Sequence, residues 1–129
     1  MFCFGHLSLA DIVVVANKEN QIEMLTKKQI IDIYMGRKST FPNGEVVLPI
    51  DQATDSTTRK LFYQNLVDKT VSEINAYWAR LLFSGRATPP RVVENGSSVI
   101  NIIKKNKSVI GYILLEDLTD DVRVLNYVD

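Results

Sequence analysis

The chain has 129 residues, 46% of them hydrophobic, and fifteen basic residues balance fifteen acidic ones. That length suits one compact domain burying roughly two-thirds of its unfolded surface. The balanced charge gives no global field to draw nucleic acid or an anionic membrane, so nucleic acid is not expected as a partner and any anion site must be local.

In chain order, Met1 to Ala10 is apolar and ends in Ser8-Leu9-Ala10, the small-x-small pattern that signal peptidase accepts before a cut at Asp11. A basic n-region is missing. The segment reads either as a truncated secretion signal over 1–10 or as an N-terminal strand extension. Cleavage would remove Cys3 and His6, the one cysteine and the one histidine, leaving a body over 11–129 without thiolate, imidazole or zinc chemistry.

Ile12-Val13-Val14-Val15-Ala16 is a continuous β-branched run, expected as a strand covered on both faces. Thr26 and Gln29 have capping-box spacing, Ile30, Ile31, Ile33 and Tyr34 form an apolar stripe, and Gly36 offers a stop, which predicts a helix over about 26–35. Phe41-Pro42-Asn43-Gly44 turns into a buried strand at 46–50. A helical stripe of Leu61, Phe62, Leu66 and Val67 follows, and Thr70 with Glu73 opens another helix whose apolar face is Ile74, Tyr77, Trp78, Leu81 and Leu82. Gly85 ends it, and Arg86 to Arg91, with tandem prolines, reads as an irregular connector. Ser97 or Ser98 caps a shorter helix, Val109 to Leu115 is a buried strand, Glu116 to Asp121 an acidic turn, and Val122 to Val128 a last strand. Strands alternating with helices predict an α/β sandwich with a mixed or mostly parallel sheet.

The chemistry concentrates at Asp51-Gln52-Ala53-Thr54-Asp55-Ser56-Thr57-Thr58-Arg59, where a strand gives way to a helix. Ser56, Thr57, Thr58 and Arg59 fall on the helix N-terminus, where free N–H groups and the positive end of the dipole favour an oxyanion. The same residue types are favoured N-caps, so the cluster reads either as an anion cradle or as a structural cap. Asp51 is expected either to accept a proton from a bound monohydrogen phosphate or to bond the turn after its strand. No nucleophile has an evident base, so no catalytic residue, cofactor or metal ligand is assigned. Trp78 reads as core or as a ligand-stacking residue; Arg80, Arg86 and Arg91 read as a basic rim or as solvated charges; the acidic turn lacks calcium-loop spacing.

Taken together, Asp51-Gln52, Ser56, Arg59, Tyr77-Trp78, Arg80-Leu81, Phe83, Gly85, Pro89-Pro90 and Ile110-Gly111-Tyr112, in that order, resemble the substrate-binding proteins of bacterial phosphate ABC transporters, and more closely their short single-domain relatives. The resemblance covers about Asp11 to Val128. It implies a periplasmic binding protein type 2 fold, a three-layer α/β sandwich corresponding to one lobe with helices on both faces of the sheet. It further implies a secreted or periplasmic bacterial protein without catalysis, binding phosphate or a related oxyanion and partnered by a membrane transporter or a second copy. The family's Ser-Gly-Thr-Arg phrase maps onto Ser56, Thr57, Thr58 and Arg59, with Asp51 beside it. Asp55 stands where a glycine usually precedes the serine, and Thr57 where one follows it. A carboxylate at Asp55 is expected to cap the N–H groups that an anion would use and to repel a second negative charge.

Overall fold

The computed structural model describes residues 8, 9 and 11–129. The predicted signal segment, 1–10, lies outside the described residues apart from Ser8 and Leu9. Five strands, β1 (Ile12–Asn17), β2 (Leu48–Gln52), β3 (Arg91–Val93), β4 (Val109–Leu114) and β5 (Val122–Val128), form one sheet in the order β3-β2-β4-β1-β5. β2 pairs parallel with both β3 and β4, while β1 runs antiparallel to β4 and β5, so four strands point one way and β1 opposes them. The unbroken apolar run of β1 is buried at every residue because the strand is covered on both faces, as its sequence predicts.

Helices cover both faces. Ile12, Val14, Ala16, Ile110 and Tyr112 point to a core closed by α1 (Lys27–Tyr34), α2 (Thr57–Val67) and α3 (Val71–Phe83). Val13, Val15, Ile50, Val109 and Ile113 point to a second core closed by α4 (Gly96–Lys105). The alternation along β1 and β4 thus divides the interior into two layers of side chains around the sheet. Chain direction explains which helix lies where. From β2 the chain steps outward to β3 through α2 and α3, then returns past β2 to β4 through α4. Two parallel crossovers of the same hand but opposite sense must use opposite faces.

Local signals place most helix ends. Thr26 and Thr70 each form a complete capping box, with Gln29 and Glu73 reaching back to the cap amides. Four predictions are corrected. The second strand begins two residues later than expected, at Leu48, so Asp51 and Gln52 belong to the strand itself. The cap of α4 is Asn95, whose side chain accepts from the Ser98 N–H, in place of Ser97 or Ser98. The Arg86–Arg91 connector runs into β3, a strand too short to show alternation. Leu82, placed on the core face by helical spacing, is 55% exposed, and Phe83 beside it is 95% exposed.

Candidate functional site

β2 ends at Gln52, and α2 starts at Thr57. Ser56 is the N-cap, in an extended conformation, and its Oγ accepts the Arg59 N–H at 3.1 Å. The same hydroxyl donates to Gln52 Oε1 at 3.0 Å, and Gln52 Nε2 donates to the Tyr112 carbonyl at 2.8 Å. The helix start is therefore fastened to β2 and through it to β4. Asp55 takes no part in the cap: its exposed side chain makes no hydrogen bond or ion pair among the described residues, which corrects the expectation that it occupies the first-turn N–H groups. Among the described residues, the amides of Thr57 and Thr58 have no acceptor and neither hydroxyl makes a hydrogen bond. Thr57 is exposed and Thr58 half-buried, so four donors of the first turn are open to a ligand or to water.

Beneath this turn lies a buried polar cluster. Asp51, only 2% exposed, accepts the Tyr63 hydroxyl on Oδ2 at 2.6 Å, and on Oδ1 both the Gln52 N–H at 2.8 Å and the Tyr112 hydroxyl. Arg59, 4% exposed, brings Nε within 3.3 Å of Asp51 Oδ1 off the N–H direction, an ionic contact and no hydrogen bond. Its Nη2 donates to Asn75 Oδ1 at 3.2 Å and its guanidinium lies 5.2 Å from the centre of the Tyr63 ring, while Nη1 has no acceptor among the described residues. Burial, reinforced by the Asp51 charge, pushes the Tyr34, Tyr63 and Tyr112 hydroxyls well above the usual phenol range, so all three remain donors. Phe62 stacks on Tyr112 with ring centres 3.8 Å apart, which packs α2 directly on β4.

The five residues singled out in the sequence are thus brought together, with different surroundings. Ser56, Thr57 and Thr58 form the outer turn. Arg59 and Asp51 form a neutral buried pair behind it, and a direct contact between Asp51 and a bound anion requires access that its burial does not give. Sequence reasoning missed Gln52, Tyr63, Asn75 and Tyr112 as supports of this arrangement. The available signal was a carboxylate directly after a buried apolar run together with tyrosines on two core-facing stripes, Tyr63 beside Phe62 and Tyr112 beside Ile110. Catalytic geometry does not follow from this set: the Ser56 hydroxyl faces an amide oxygen and not a base.

The position in the sheet is informative. β2 leads outward to β3, whereas neighbouring β4 leads the opposite way, across β1 to β5. The start of α2 lies at the carboxyl end of β2, at the point where the connections diverge, and open α/β sheets bind ligands in such crevices.

A five-stranded mixed sheet, mostly of one strand direction and helix-covered on both faces, with a helix start at its switch point, is the architecture of one lobe of a type 2 periplasmic binding protein. Among solved structures, the chain is similar to an ABC-type phosphate transport receptor from Vibrio cholerae, at 21% identity and a TM-score of 0.71 over 93% of this chain and 48% of that one. It is similar as well to a putative phosphate ABC transporter substrate-binding protein with bound phosphate from Clostridium perfringens, at 20% identity and a TM-score of 0.71 over 93% of this chain and 46% of that one. The PstS protein of Borrelia burgdorferi matches at 18% identity and a TM-score of 0.60 over 90% of this chain and 47% of that one. The chain spans about half the length of these proteins. No protein-family model matches the sequence, and no curated protein matches it. The shared fold agrees with the family resemblance read from the ordered motifs.

Proposed function

We propose that the chain is a non-catalytic module that binds phosphate or a related oxyanion at the start of α2, through the hydroxyls and amides of Thr57 and Thr58 with Ser56 as cap. Behind this turn Asp51 holds Arg59 in place, with the Arg59 Nη1 still without an acceptor among the described residues. The observation that carries this reading is the set of unpaired donors on the first turn of α2, at the switch point of a fold shared with phosphate receptors. The unpartnered Arg59 Nη1 supports it, since a buried donor without an acceptor is costly unless water or a ligand meets it. As an exported protein of the bacterial periplasm or exterior, cleaved after Ala10, the chain would work with a membrane transporter or with a second copy. No described helix is long and apolar enough to cross a membrane.

The test is an amide chemical-shift titration with phosphate, sulfate and molybdate. Thr57, Thr58 and Arg59 are expected to shift together and saturably. Asp55→Gly should tighten binding by removing a carboxylate from the mouth, by up to about tenfold for one relieved like-charge contact near the surface. No shift in wild type and Asp55→Gly alike at tens of millimolar anion overturns the reading.

One observation favours a second reading, in which the fold serves as a ligand-free interaction module. Phe83 and Leu82 stand exposed at the end of α3, within the Tyr77 to Pro90 surface, where a protein partner would cover them. Phe83→Ser would then abolish partner binding, and no anion would shift the Thr57 and Thr58 amides saturably.

A further inference from the structure

The opposite end of the sheet holds a cavity that the proposed anion site does not use. It opens beside Leu48 and Val109, the first residues of β2 and β4, where the short strand β3 leaves the edge of β2 uncovered, and it has a volume of about 620 Å³. Ligand sites typically occupy roughly 300–1,000 Å³. Its apolar lining includes Ile33, Val47, Trp78 and Pro89. Arg37 and Lys38, which follow α1, and Arg86 and Arg91, from the connector to β3, line it as well. No acidic residue among the described residues lines it, in a chain whose charges balance overall. Arg37 is in part committed to Asp32, with Nη1 3.5 Å from Oδ1. Lys38, Arg86 and Arg91 form no ion pair among the described residues.

Four cations around one apolar crevice repel each other and leave three charges without a counter-ion, an arrangement that an anion relieves. Backbone pairing is poorly served there. Pro49 in the exposed edge of β2 and Pro89-Pro90 before β3 have no N–H to donate, so an added β-strand would find its ladder interrupted. Recognition falls to side chains: guanidinium and ammonium groups for an anionic head, the indole and prolines for an apolar body.

We propose that this cavity binds a small organic anion, an apolar or aromatic body bearing a phosphate or carboxylate group. The site is separate from the helix start, so it stands or falls independently of the oxyanion reading. Arg86 and Arg91, which read from the sequence as a basic rim or as solvated charges, then have a shared role; Arg80 does not line the cavity.

Trp78 is the only tryptophan in the chain and lies in the cavity wall, so its emission reports occupancy. The experiment titrates the full chain with phenyl phosphate, with benzyl alcohol as the uncharged ring and inorganic phosphate as the charge without a ring. Phenyl phosphate is expected to change Trp78 emission saturably, and benzyl alcohol and phosphate to bind far more weakly. R86Q/R91Q should weaken phenyl phosphate by about tenfold or more. Both arginines are exposed, so an unchanged circular dichroism spectrum and unfolding midpoint are expected for that variant. Ser56→Ala should leave the constant unchanged. The proposal is overturned by an unchanged constant in R86Q/R91Q, by equal binding of benzyl alcohol, by a loss confined to Ser56→Ala, or by no saturable change at tens of millimolar.

Discussion

Asp51 is the residue on which the helix start depends. It receives two phenol hydroxyls and faces a guanidinium, so it supplies the acceptor for two buried donors and the counter-charge for a buried cation. Asp51→Asn leaves Arg59 buried without a counter-charge and should cost about 3–5 kcal/mol, whereas Tyr112→Phe removes one hydrogen bond and should cost about 1–2 kcal/mol. Urea unfolding distinguishes the two, and a cost below 1 kcal/mol for Asp51→Asn contradicts the buried pair. The tyrosines also set an alkaline limit. Their folded hydroxyls are held well above the ordinary value of 10.0 by burial and by Asp51. The unfolded chain therefore releases protons above that value while the folded chain keeps them. Stability is complete below pH about 10 and falls as pH rises beyond it, by about 1.4 kcal/mol per pH unit for each such tyrosine. Tyr112→Phe should flatten that fall by one tyrosine's share, measured by urea midpoints from pH 8 to 11 on the same scale.

At the scale of elements, α4 lies so close on β4 that only a glycine fits between them. A Cβ on Gly111 would come within 2.5 Å of Val99 Cγ1 and 3.2 Å of Ile50 Cγ1, both in the core that α4 closes. Gly111→Ala should thus destabilise by about 1–3 kcal/mol through overpacking, despite alanine's better backbone entropy, and thermal unfolding measures it. A gain in stability would mean that α4 can move away freely. The same closeness explains part of what the sequence could and could not reveal. Capping boxes, the β1 run and the Gly36 stop are local patterns and read directly, because Thr26 and Gln29 or Thr70 and Glu73 decide their geometry among themselves. β3 was not legible: three residues after tandem prolines carry no period, and only the free edge of β2 makes them a strand. Asp51 was legible as a polar residue at a strand end but not as a buried one, since its partners Tyr63 and Tyr112 lie 12 and 61 residues away. Ser56 was legible as a cap candidate because its acceptor role is settled three residues on, at Arg59.

For the molecule as a whole, affinity is the quantity that the open helix start constrains. Micromolar binding requires roughly 8 kcal/mol, while an exposed helix terminus contributes about 0.3–1 kcal/mol and each charged hydrogen bond about 1.5–3 kcal/mol. Arg59 is already neutralised by Asp51, and Thr57 is exposed to water, so few of those bonds reach full strength in this chain. Millimolar phosphate, corresponding to about 4 kcal/mol, is the expected outcome for the chain alone. A covering second copy would change this in a recognisable way. If two copies enclosed one anion, phosphate would drive association and association would tighten phosphate by the same factor, because linkage is reciprocal. Amide-shift titrations at two protein concentrations a hundredfold apart, run beside sedimentation velocity with and without phosphate, separate these cases. The open site predicts one millimolar constant at both concentrations and no change in sedimentation. A micromolar constant at the lower protein concentration contradicts an open site, and a constant that tightens with protein concentration identifies the second copy as the missing wall.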